Sequence, residues 1–312
     1  MKKYILILLL AVMGISADEY TNIKAKKEFF EPVINKLNKR GVDSSFIDYL
    51  LGASSTKFDK KYVNINVTGF LGKPDYSSHY NSRAVRKSKK FLNENEDILQ
   101  KAEDKYGVPK EVITSVLWVE TRHGGYLGYN HIPSVYLSTA MAEQDEYIKM
   151  NKKELHRKFD GDRSELPALE KKIERRAAKK ADWALDQLVA LQKVDSLMPV
   201  PVVKLEGSWA GAFGMSQFLP ESYVKWAVDG NGDDVVNLFE KEDAIYSVAN
   251  YLKTNGWGPT QKNKRDAVFH YNNSSAYVDA VLKLASLITE DKERKEVLRR
   301  SFKDPIDVQV EE

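Results

Sequence analysis

The sequence predicts a mainly α-helical fold with a little β structure. Three observations carry that prediction. Apolar positions recur at helical spacing in most segments, only one stretch alternates with a period of two, and Gly and Pro mark the breaks. At 312 residues the chain holds one large domain or two. With 42% hydrophobic and 30% charged residues it has enough apolar material for a sizeable core, which excludes global disorder and low-complexity architectures. Lys and Arg number 48 against 45 Asp and Glu, a formal charge of +3, and this balance does not suit a nucleic-acid binder. The absence of Cys excludes disulfides, thiol catalysis and Cys-ligated metals.

The elements follow in chain order. Lys2 and Lys3 precede an apolar run from Tyr4 to Met13, and Ile15-Ser16-Ala17 offers a small-residue cleavage site. Residues 1–17 therefore read as a secretory signal peptide, too short to span a bilayer. With no Cys to carry a lipid and no later apolar run of spanning length, the mature chain is expected to be exported and soluble. Residues 25–52 read as helical, with Phe29, Phe30, Val33, Ile34 and Leu37 apolar and a break at Gly41. Residues 62–68 alternate Val63, Ile65 and Val67 with Asn64, Asn66 and Thr68, which predicts a strand. Residues 84–106 read as one long helix, closed by Gly107-Val108-Pro109, and residues 109–122 as the next. Residues 143–195 are rich in Lys, Arg, Glu and Ala and read as exposed helices broken between Gly161 and Pro167. A Gly-rich loop spans 207–216. Helices are predicted over 220–228, 242–255 and 274–289, followed by a charged tail.

One carboxylate stands out. Val112, Ile113, Val116 and Leu117 form the apolar stripe of the helix from Pro109, and Glu120 is the next position on it. A carboxyl group on a core-facing stripe is costly unless paired or protonated. Desolvation raises its pKa, as a general acid near neutral pH requires. Arg122 is the local cation that would instead make it a buried ion pair.

Residues 229–243 resemble a calcium-binding loop. Asp229, Asn231 and Asp233 supply side-chain oxygens at alternate positions, Val235 stands where a backbone carbonyl is used, and Glu240 stands twelfth. Asp234 occupies the sixth position, where the pattern wants Gly. The Gly-rich segment Gly207-Ser208-Trp209-Ala210-Gly211-Ala212-Phe213-Gly214-Met215-Ser216-Gln217 lacks the endings of a phosphate loop and of a nucleophile elbow. Its small residues let the backbone approach a ligand, and Ser208 and Gln217 offer hydrogen bonds. The five His show no zinc spacing.

Several blocks occur in order: Val119-Glu120-Thr121-Arg122-His123-Gly124, Gly211-Ala212-Phe213-Gly214 with Gln217-Phe218-Leu219-Pro220, the Asp229 loop, Asp243-Ala244-Ile245 through Tyr251, Gly256-Trp257, and Tyr271-Asn272 with Tyr277. Together, over about residues 90–290, they resemble the lytic murein transglycosylase B family, lysozyme-like peptidoglycan-cleaving enzymes. The resemblance is weaker over 143–200 and over 18–85.

It implies a lysozyme-like catalytic core with an additional helical region. The domains expected are an N-terminal region 18–85, helical with one strand, then a catalytic region 86–290 with a helical insertion at 143–200, then a charged tail at 291–312. Glu120 stands at the family's catalytic acid/base. Ser208, Gln217, Tyr251, Tyr271, Asn272 and Tyr277 stand at positions lining the glycan cleft. Asp229, Asn231, Asp233, Val235 and Asp243 stand at the ligands of a structural Ca2+, so Asp243 competes with Glu240 for the last carboxylate. His123 departs from the family, where a bulkier aromatic is common. The implied activity is cleavage of the MurNAc-GlcNAc β-1,4 bond with 1,6-anhydro-MurNAc ends, without a catalytic cofactor. The implied setting is a monomer in the periplasm acting on glycan strands. A hydrolytic muramidase and a non-catalytic calcium-binding wall scaffold are the alternatives.

Overall fold

The computed structural model describes residues 17–72 and 75–303. The signal-peptide reading falls almost wholly outside the described residues. The helices are α1 (Ala17–Phe29), α2 (Glu31–Lys39), α3 (Ser44–Gly52), α4 (Lys60–Thr68), α5 (Ser82–Glu94), α6 (Glu96–Tyr106), α7 (Lys110–Thr121), α8 (Ile132–Ala140), α9 (Asp145–Lys158) and α10 (Leu166–Leu197). They continue with α11 (Pro220–Trp226), α12 (Lys241–Thr254), α13 (Gln261–Tyr271) and α14 (Ser275–Lys303). Among the described residues the β structure is one antiparallel ladder, β1 (Asn130–His131) on β2 (Glu206–Gly207) with Asn130 opposite Gly207, and two isolated bridges, Gly207 to Phe213 and Phe213 to Phe218.

The chain forms two compact units interleaved along the sequence. Among the described residues the first comprises 17–72, 127–225 and 235–237. The second comprises 75–126, 226–234 and 238–303.

In the first unit α10 packs on α8, with α4 and α9 alongside. Ile173, Ala177, Ala181, Ala184 and Leu188 are fully buried along α10. Three alanines on that stripe let the neighbouring helix come close. The ladder tethers the 127–131 segment to the Gly-rich loop.

In the second unit α7 lies against α14, α5, α6 and α12. Its residues from Val112 to Val119 are all buried, Thr114 and Ser115 included, so this helix is enclosed on every side rather than along its apolar stripe alone.

The strand expected over 62–68 is a helix, α4. Asp59 caps it by accepting the Lys61 N–H at 2.9 Å. Tyr62, Val63, Asn66 and Val67 are buried, which is helical and not alternate spacing. Asn66 is kept inside by donating to the Tyr62 carbonyl and to Thr139 Oγ1. Packing against α8 and α9 thus overrides the β preference of Val and Ile. The long helix expected over 84–106 is divided at Asn95, whose Nδ2 donates to the Phe91 carbonyl at 2.7 Å while Oδ1 accepts from Lys241 at 3.0 Å. The tail expected from 291 continues α14 as far as Lys303. Helices α8 and α13 were not expected. Each begins beside a residue that apolar periodicity does not mark, Pro133 and the Thr260 cap.

Candidate functional site

Glu120 lies one residue from the end of α7. Arg122 and His123 follow with φ of 55° and 59°, so the chain leaves the helix through two left-handed residues. The Glu120 side chain is thereby fixed by a helix buried all round. Burial of the carboxyl raises its pKa to about 7, although the residue as a whole keeps some accessible surface. The Tyr277 hydroxyl donates to Oε1 at 2.5 Å and acts in the opposite direction, favouring the ionised form. Among the described residues no Lys, Arg or His pairs with Glu120, so the ion pair that Arg122 offered is not made.

The Tyr277 ring stacks at 6.4 Å and 9° on Tyr271, and Tyr271 meets Tyr251 at 4.7 Å. Tyr251 meets Trp226 at 4.6 Å and donates its hydroxyl to the His270 carbonyl at 2.8 Å. Burial holds the Tyr271 and Tyr277 phenols well above their usual range, and the Glu120 charge adds to it. These rings are therefore neutral donors at any pH where the carboxyl titrates. Tyr76 was missed in the sequence. Its ring meets Tyr277 edge-on at 5.7 Å, and its hydroxyl is hydrogen-bonded by Asn272. Nothing in its isolated, turn-rich surroundings marks it. Glu120, Tyr76, Tyr251, Tyr271, Asn272 and Tyr277 thus form one cluster within the second unit.

His123 behaves as a neutral aromatic. Its ring stacks on Phe91 at 4.1 Å and 8°, and burial lowers its pKa to about 4.

Ser208 and Gln217 lie in the first unit. The Ser208 N–H donates to the Ala212 carbonyl at 2.8 Å, and Ser208 Oγ accepts from the Ala212 N–H at 3.1 Å. Gln217 Nε2 donates to the carbonyls of Gly214 and Leu127 at 3.0 and 3.3 Å. Gly211 sits at φ 90° with its carbonyl accepting from the buried Tyr136 hydroxyl at 2.8 Å. A Cβ there would lie 2.2 Å from the Tyr136 ring. Trp209, in this loop, and Tyr129, beside β1, are 48% and 70% exposed and free to meet a ligand face.

The loop 229–243 is organised by hydrogen bonds from its own N–H groups. Asp229 accepts from the N–H groups of Gly232, Asn231 and Asp234, and these bonds lower its pKa, that of Gly232 most. Asp234, where Gly is usual, adopts the left-handed φ of 65° that such a loop needs. Asn231 Nδ2 donates to Asp233 and Glu240, at 3.1 and 3.2 Å. Asp243 is fully buried and accepts from the Gly230 N–H at 2.8 Å. Val235 is 37% exposed. The donors are all oxygen, which fits a hard cation. Among the described residues no three His, Cys, Asp or Glu side chains converge at metal-binding range. The carboxylates are instead engaged with loop N–H and amide groups.

A profile of the transglycosylase SLT domain matches residues 25–267. The chain is 34% identical over 169 residues to the membrane-bound lytic murein transglycosylase B of Escherichia coli K12. That match covers 54% of this chain but spans only 37% of the relative. Among solved structures, the E. coli lytic transglycosylase Slt35 in complex with calcium superposes with TM-score 0.60 at 22% identity, covering 85% of this chain and 93% of that one. SltB3 from Pseudomonas aeruginosa in complex with NAG-anhNAM-pentapeptide gives TM-score 0.62 at 19% identity, covering 84% and 79%. The mainly α, lysozyme-like architecture stands on these superpositions. With the profile spanning most of its length, the chain belongs to the transglycosylase SLT domain family.

Proposed function

We propose that this chain is a peptidoglycan lytic transglycosylase, a carbon–oxygen lyase, with Glu120 as its single acid/base. The observation that carries the reading is an unpaired, desolvated carboxyl with a pKa of about 7, held by the Tyr277 hydroxyl at the end of a buried helix. Such a group is protonated over part of the neutral range and is a strong enough acid to use. Tyr277 occupies Oε1, which leaves Oε2 to carry the proton. Oε2 protonates the glycosidic oxygen between N-acetylmuramic acid and N-acetylglucosamine, and the C1–O bond breaks. The carboxylate so formed takes the proton of the muramic C6 hydroxyl, and O6 bonds to C1. No water enters, and the acid is regenerated. The internal hydroxyl needs no second carboxylate to activate it, unlike the water of a two-carboxylate glycosidase.

Tyr251, Tyr271, Asn272 and Tyr277, with Ser208 and Gln217, are assigned to glycan contacts. The exposed Tyr129 and Trp209 suit sugar faces. Asp229, Asn231, Asp233, the Val235 carbonyl and Asp243 are assigned to a structural Ca2+, which shapes the loop and takes no part in the chemistry. Asp243 is preferred to Glu240 because it is buried and bonded to the loop's own Gly230 N–H.

The test is digestion of purified peptidoglycan with product masses read out. The expected muropeptides are lighter by one water than hydrolytic products, and Glu120→Gln forms none while still unfolding in a cooperative transition at or above the wild-type temperature. Hydrated ends would make the enzyme a muramidase. Near-normal turnover by Glu120→Gln would remove the assignment.

A further inference from the structure

The long helix α10 carries a charge pattern that glycan cleavage does not use. Its inner face is Ile173, Ala177 and Ala181, all fully buried. On one flank Glu170 and Glu174 pair with Lys152 and His156 of α9. The opposite flank holds Lys172, Arg176 and Lys180 at successive four-residue steps. The outer face holds Lys171, Arg175 and Lys179 at the same spacing. Those last three are exposed, and among the described residues no carboxylate pairs with them. Six cations thus stand on about 14 Å of helix. The band stops where Asp182 and Asp186 pair with Arg40.

The inner row is built onto aromatic rings. Lys172 Nζ lies 4.1 Å from the Phe70 centroid, Arg176 lies 5.0 Å from the same ring, and Lys180 Nζ lies 4.1 Å from Trp183. Arg176 also donates to the Val67 and Asn66 carbonyls at the end of α4, at 2.7 and 3.1 Å. Burial, and then repulsion from Arg176 and Lys179, lowers the Lys180 pKa to about 8. Like charges at this spacing disfavour an isolated helix, so the band costs α10 some local stability. Beside it Phe70 and the 36% exposed Leu71 form an apolar corner. A cavity of about 780 Å³ opens there, with Ile65, Phe70, Leu71 and Leu169 apolar and Lys158 and Lys172 cationic; Asp160 and Glu165 also face it.

We propose that this band, with the Phe70–Leu71 corner, docks the protein on the anionic headgroups of a phospholipid bilayer. Cations on apolar stems next to an exposed apolar corner match an interface that is anionic outside and hydrocarbon within. An anionic wall polymer would use the cations and leave the corner idle.

The test is flotation of the full-length chain with vesicles of phosphatidylcholine alone and of phosphatidylcholine with phosphatidylglycerol, at increasing salt. Binding to the phosphatidylglycerol vesicles is expected to dominate and to weaken as salt rises. The triple variant Lys171→Glu, Arg175→Glu, Lys179→Glu should bind them roughly a hundredfold more weakly or worse. Its Gln counterpart, whose exposed positions leave folding undisturbed, should lose roughly tenfold or more. Leu71→Asp should remove the part that resists salt. All variants keep residues 1–17, so any membrane affinity of that apolar run cancels in the comparison. Both triple variants should digest soluble peptidoglycan fragments as the wild type does. Wild-type affinity of both triple variants for phosphatidylglycerol vesicles would overturn the proposal. Losses confined to binding of purified peptidoglycan would assign the band to a wall polymer instead.

Discussion

Above about pH 7 the folded chain must hold an ionised carboxylate at Glu120 in a site that removes it from water. The unfolded chain holds the same group exposed, with an ordinary Glu pKa. Between the two values the native state binds the extra proton, so stability falls as pH rises through this window and is level above it. A shift from an ordinary 4.5 to about 7 corresponds to about 3 kcal/mol as an upper bound, since the residue keeps some accessible surface. Glu120→Gln removes the ionisation and keeps a partner for the Tyr277 hydroxyl. It should therefore be more stable than the wild type at pH 8, by up to about 3 kcal/mol, and no more stable at pH 4. Urea unfolding at the two pH values checks this. Equal differences at both would show that the carboxyl titrates normally. The pattern of the sequence pointed to Glu120 because a charged residue broke an apolar stripe. It did not reveal Tyr76, because a ring becomes part of a site only through the partners that folding brings to it.

At the scale of elements, the Gly-rich loop owes its shape to Tyr136 of α8. Gly211 has the positive φ of 90°, and the Tyr136 ring occupies the space where its side chain would be. Gly211→Ala meets both left-handed strain and a clash of its Cβ with the Tyr136 ring, together roughly 2–5 kcal/mol. The expected result is a melting temperature several degrees lower, with KM for glycan substrate rising more than kcat falls, because Ser208 and Gln217 sit on this loop. An unchanged melting curve would mean that the loop has room to spare. The same scale shows how far the sequence could be read. α7 was legible from its apolar positions between Pro109 and Gly124, and α10 from a segment rich in Lys, Arg, Glu and Ala. α4 was misread because Val63, Ile65 and Val67 alternate by coincidence, while the helical contact that decides the matter is a buried Asn66. The division at Asn95 was hidden because its side-chain bond to a preceding carbonyl resembles any helical polar residue until Lys241 arrives from α12.

For the whole molecule, a formal charge of +3 conceals strong local imbalance. The basic band of α10 is one instance. Another is the loop 229–243, whose sequence holds Asp229, Asp233, Asp234, Glu240, Glu242 and Asp243 with Lys241 as the one cation in the segment. Carboxylates at this density repel one another, and hydrogen bonds from loop N–H groups offset only part of that. A divalent cation bound to the native loop alone would stabilise the entire fold, by about 2.7 kcal/mol at a hundredfold excess over its Kd. For a chain of this size that is an upward shift in melting temperature of roughly 3–5 °C. Calcium should produce the shift and a chelator should reverse it. Magnesium should produce little, because the loop offers several protein oxygens and Mg2+ dehydrates reluctantly. Asp243→Asn should abolish the response, because this buried carboxylate joins the end of the loop to its start at Gly230. Glu240→Gln should leave most of it. Scanning calorimetry of the three proteins with calcium and with chelator separates these outcomes. If the wild-type transition is indifferent to calcium, the loop is an Asx-turn scaffold held by its own N–H groups. If Glu240→Gln loses the response and Asp243→Asn keeps it, Glu240 is the closing ligand.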